Sequence, residues 1–104
     1  MFGYGVREIM GYELKTTFWG DFTIADAFGE DAVRDTYERA FAEWKSDTVY
    51  VTELAMVLNW KCWQHYEHDE KLSRLYSDLY YEVHGWCMDN LKGDDLYYYW
   101  KTTD

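Results

Sequence analysis

The feature that most constrains this chain is a run of apolar residues at Leu72, Leu75, Tyr76, Leu79, Val83, Trp86, Cys87 and Leu91. These positions keep the three-and-four spacing of one helical face over more than five turns. No proline occurs anywhere in the 104 residues, so nothing in the sequence forces a helix to break. Asp69 stands where an N-cap belongs, and Gly93 stands where a helix stops. The spacing predicts a helix over about 70–91, and a helix that long needs partners to cover its stripe.

The rest of the chain supplies them. Val33, Tyr37, Ala40, Phe41 and Trp44 predict a helix over about 30–45, with Asp35, Arg39 and Glu43 spaced as ion pairs on its solvent side. A third helix, over about 50–66 and capped by Asp47 or Thr48, carries two apolar stripes. One is Val51, Leu54, Ala55, Leu58, Cys62 and Tyr66; the other is Met56, Trp60 and Trp63. A helix apolar on two sides belongs in the centre of a bundle. Thr23 to Asp26 resembles a capping box and predicts a short helix over about 23–28 that ends at Gly29. Asp94 caps a last helix over about 94–101. Alternation at Tyr12, Leu14, Thr16 and Phe18 suggests a short extended arm within residues 1–17. The expected fold is all-α: one domain, a compact four- to five-helix bundle with a short N-terminal arm.

Composition narrows function. There are 20 acids against 10 bases, a net charge of −10, and 22 aromatics. The aromatics exclude an ordinary disordered acidic tail, and the acidity argues against direct nucleic-acid binding. No apolar run approaches the roughly 20 residues of a membrane span, and no signal-peptide pattern opens the chain. The expectation is a cytoplasmic protein without a membrane or a cofactor.

Chemistry-bearing patterns are few. Cys62 and His65, with His84 and Cys87, make a zinc-like set of ligands on paper. An antiparallel hairpin turning near His68 puts Cys62 opposite about residue 76, leaving Cys87 roughly 16 Å further along. The two cysteines then read as small core thiols, and His65 and His68 as a solvated helix end. No Glu-x-x-His pair, phosphate-cradling glycine loop or nucleophile elbow is present. No catalytic or metal-binding residues are assigned, and an enzyme is not expected.

Surface remains. Nine of the ten net negative charges lie in residues 21–43 and 76–104. If those blocks adjoin, Asp31, Asp35, Glu38, Asp78, Glu82, Asp94 and Asp95 form an acidic face able to attract a basic protein partner. The alternative is charge that serves solubility alone. Tyr97, Tyr98, Tyr99 and Trp100 cannot all point inward from one helix, which turns about 100° per residue. Together with Trp60 and Trp63 they are either anchors for a partner, a homodimer seam, or core covered by other helices.

The segments Leu14–Gly29, Asp35–Lys45, Thr52–Lys61 and Asp89–Asp104 resemble small, uncharacterised acidic proteins encoded on conjugative elements and prophages of Gram-positive gut bacteria. The resemblance implies a setting on a mobile genetic element and transfers no functional residue. By analogy of size and charge with anti-CRISPR and anti-restriction proteins, it implies an inhibitor of a host defence or nucleic-acid-handling complex. The expected function is therefore non-enzymatic protein binding. The alternatives are a structural homo-oligomer and a metal-dependent enzyme.

Overall fold

The computed structural model describes residues 7–9, 12–14 and 29–103. Among the described residues it is an all-α bundle of four helices: α1 (Glu30–Trp44), α2 (Thr48–His65), α3 (Glu70–Asn90) and α4 (Asp94–Thr103). The helix expected over 23–28 lies outside the described residues. In the N-terminal arm, β1 (Arg7–Ile9) and β2 (Tyr12–Leu14) pair antiparallel with Glu8 opposite Glu13, and β2 lies against α2.

Local chemistry sets the helix ends. The Asp47 carboxylate accepts hydrogen bonds from the backbone N–H groups of Val49 and Tyr50, and Asp69 accepts from Leu72 N–H at 3.1 Å. Each satisfies donors that a helix start leaves without an intrahelical partner. Helix α2 thus begins two residues earlier than the apolar pattern suggests. Helix α3 ends at Asn90, where Leu91 turns extended. Gly93 adopts the left-handed conformation at φ 59°, and it leads into α4 rather than closing α3. Asp94 is consequently already helical, and with Asp95 it sits in the first turn of α4, where negative charge is favoured.

Three interhelical contacts fix the direction of packing. Lys71 Nζ meets Glu30 at 3.2 Å, the Tyr37 hydroxyl meets Glu82 at 2.6 Å, and Phe41 packs edge-on to Trp86 at 6.1 Å between ring centroids. Both sequences ascend together, so α1 and α3 run parallel. Helix α2 runs antiparallel to α3, because Ser73 Oγ donates to the Cys62 carbonyl at 2.8 Å across their short turn.

Helix α2 is central. Val51, Leu54, Ala55, Val57 and Leu58 are fully buried, and so are Thr52 and Glu53. Burying side chains of the Leu and Val class stabilises the fold by about 1.5–3 kcal/mol each. The α3 stripe is the other half of the core: every member is buried except Trp86, which packs partly covered against it. Among the described residues, no helix is long and apolar enough to cross a membrane.

Candidate binding surfaces

Tyr37 joins the two acidic blocks. It is buried on α1, and its hydroxyl donates to Glu82 Oε1 on α3. Burial first, then the hydrogen bond and charge of Glu82, and last the charge of Glu38, push the phenol far above its usual ionisation range. Glu38 from α1 and Glu82 from α3 therefore act on one atom. Asp31, Asp35 and Glu38 are exposed on α1, and Asp78 and Glu82 are exposed on α3.

Cations interrupt this face. Arg39 Nε lies 3.5 Å from Asp35, and the expected partner Glu43 instead accepts from Trp44 Nε1 at 3.2 Å. Asp78 lines a cavity of about 310 Å³ together with Glu30, Arg34, Lys71 and Arg74. Asp94 and Asp95 are exposed at the far end of α3. Among the described residues, no side-chain hydrogen bond or ion pair ties them to α1 or α3.

The aromatic run of α4 divides. Tyr97 and Trp100 are each 54% exposed, whereas Tyr98 and Tyr99 are 1% and 0% exposed. Tyr98 and Tyr99 are thus core residues, which corrects their expected placement among the surface anchors. Two adjacent helical positions, about 100° apart, both reach the interior here because α4 lies in the groove beside α2 and α3. Tyr98 packs on Val49, Tyr50 and Met56 of α2. The Tyr99 hydroxyl shares a 2.7 Å hydrogen bond with His84 Nδ1 on α3, and the imidazole stacks on Tyr80. On the outer side, Trp100 Nε1 donates to Met88 Sδ at 3.3 Å, and Lys101 Nζ lies over the Tyr97 ring.

The histidines and cysteines separate. Cys62 lies opposite Ser73, three residues from the expected position 76, so Cys87 is roughly 21 Å further along α3 at the helical rise. Burial pushes the Cys87 thiol up to about 12. His65 is half-buried and stacks on Tyr76, with 5.7 Å between ring centroids, whereas the sequence suggested a solvated end. His68 is exposed in the turn. Among the described residues, no group of three or more His, Cys, Asp or Glu side chains is placed to hold a metal ion.

At the α2–α3 turn Trp63, already a surface candidate, is joined by Tyr66, which the apolar stripe of α2 had placed in the core. Trp63 and Tyr66 are 64% and 62% exposed, and their rings lie 5.3 Å apart. They line a cavity of about 760 Å³ with Cys62, Glu67, His68 and Arg74. Trp63 also borders a neighbouring cavity of about 230 Å³, shared with Trp60 and Tyr80. The signal was present as the Trp63-x-x-Tyr66 spacing, which places two rings on one helical face. It was hidden because Tyr66 also continues the core stripe of α2. Comparison with family models, curated proteins and solved structures finds no match to this chain.

Proposed function

We propose that this chain is a non-enzymatic protein-binding module that captures a partner bearing a basic surface. Asp31, Asp35, Glu38, Asp78 and Glu82 supply the attraction, Asp94 and Asp95 add negative charge at the far end of α3, and Tyr97 and Trp100 supply exposed anchors. The observation that carries the reading is the Tyr37–Glu82 hydrogen bond, which holds the carboxylates of α1 beside those of α3. Juxtaposed charge of one sign raises association rates for an oppositely charged partner. A non-enzymatic role is supported by how the reactive groups are used. His84 is engaged by Tyr99, and the Cys87 thiol is buried and kept protonated.

In its sharpest form the module is an inhibitor of a host defence or nucleic-acid-handling complex, acting in the cytoplasm for a mobile element. That form is supported by the resemblance and by size and charge. A second reading, a homo-oligomer, is favoured by the exposure of Trp63 beside Trp60. Light scattering at high concentration tests it, and a strict monomer removes it.

The primary reading is tested by capture from a host lysate at low salt, comparing wild type with the D31N/D35N/E38Q variant. The expected result is that basic proteins retained by wild type are lost from the variant, while far-UV circular dichroism is unchanged. Identical captured sets would refute the electrostatic reading.

A further inference from the structure

We propose that the Trp63–Tyr66 cavity is a docking site for an arginine-bearing basic segment of a protein partner. The inference rests on the reading that the chain binds a basic partner, and it locates a contact on a different part of the molecule from the α1–α3 face.

Four observations carry it. The cavity, about 760 Å³, exceeds the one of about 310 Å³ on the acidic face and lies in the range of built ligand sites. Its two large aromatic rings are both more exposed than buried, and at 5.3 Å between centroids they form one adjoining surface over which a flat group can lie. Glu67 stands at the same cavity and makes no ion pair among the described residues, whereas Glu70 is engaged by Arg74 at 2.9 Å. The aromatic surface also continues past Trp63 to Trp60, where Lys61 Nζ already lies over the indole at 5.4 Å. The Trp60 indole, next along this aromatic surface, therefore already carries a cation from the chain itself.

Charge selects among occupants. A second copy brings another net charge of −10, and a nucleic acid is also anionic. An arginine fits each feature: its planar guanidinium stacks on Trp or Tyr, and its fork of N–H donors matches the Glu67 carboxylate. Cation–π attraction at such a site is strongest for Trp.

The test titrates a capped oligo-arginine peptide, and its uncharged oligo-citrulline counterpart, into the full chain by isothermal calorimetry. Wild type is expected to bind the arginine peptide and not the citrulline one. Trp63→Ala should weaken binding about tenfold. Trp63→Phe, which keeps a ring, should recover part of the loss. Glu67→Gln should weaken binding about threefold. Because Trp63 and Glu67 are exposed, far-UV circular dichroism should match wild type for all three variants.

Unchanged affinity in Trp63→Ala overturns the site. Loss confined to D31N/D35N/E38Q moves the peptide to α1, which overturns this inference and leaves the basic-partner reading standing. No binding by wild type contradicts both. A dimer that Trp63→Ala dissolves also overturns the inference, because a second copy then occupies the cavity.

Discussion

Raising the pH should unfold this protein, with three buried acids, Tyr37, Tyr99 and Cys87, contributing strongly, and the structure sets the size of their effect. Tyr37 and Tyr99 are 3% and 0% exposed, and burial, the largest cause for each, holds both phenols well above their ordinary value of 10. Cys87 is fully buried and pushed from 9 up to about 12. A group whose pKa is raised by folding stabilises the fold below its unfolded value and loses that contribution as pH rises above it. Each such proton costs about 1.4 kcal/mol of stability per pH unit. By about pH 11, Cys87 has lost about 2.7 kcal/mol and the two phenols together about the same. The total of about 5 kcal/mol matches the lower end of a domain's whole stability.

The Y37F/Y99F variant separates the phenols from the thiol. At neutral pH it gives up the hydrogen bonds to Glu82 and His84, about 1 kcal/mol each. It then declines with pH without the contributions of Tyr37 and Tyr99, while that of Cys87 remains. Urea unfolding followed by far-UV circular dichroism at steps from about pH 8 to about pH 11 measures both curves. The variant is expected to start about 2 kcal/mol below wild type and to converge with it near pH 11. Curves that stay parallel throughout would refute the reasoning, because the phenols would then ionise as readily folded as unfolded.

Other outcomes follow from the same packing. Asp47→Ala removes the acceptor for two N–H groups at the start of the central helix and should cost about 1 kcal/mol in urea unfolding. Leu54→Ala empties a fully buried position on α2 and should cost about 2–5 kcal/mol. Trp63→Ala removes a mostly exposed ring and should change stability by no more than about 0.5 kcal/mol.

Periodicity made the α3 stripe and the central position of α2 legible, because long helices repeat the signal several times. The caps at Asp47 and Asp69 were legible because a short carboxylate before an apolar run has few other uses. Burial within α4 was not. Tyr97, Tyr98, Tyr99 and Trp100 are alike in hydropathy, and a ten-residue helix repeats its pattern too few times to give a phase. Tertiary packing chose Tyr98 and Tyr99. The burial of Thr52, Glu53 and Lys61 was equally hidden, since a polar residue on a central helix reads as a solvent position. Strand β1, Arg7–Ile9, has too few residues to show an alternation, and only its pairing with β2 reveals it. The acidic face was half legible. Sequence blocks located the charge, but the bond from Tyr37 to Glu82, 45 positions apart, is what brings Glu82 of the second block beside α1.

Electrostatic capture of a basic partner acts chiefly on the association rate and weakens with salt. The direct measurement is the association rate of the partner recovered by capture, taken for wild type and D31N/D35N/E38Q across a range of ionic strength. The account predicts a slower rate for the variant at low salt, a shallower salt dependence, and rates that merge at high salt. Equal rates at low salt, with the same salt dependence, would contradict it.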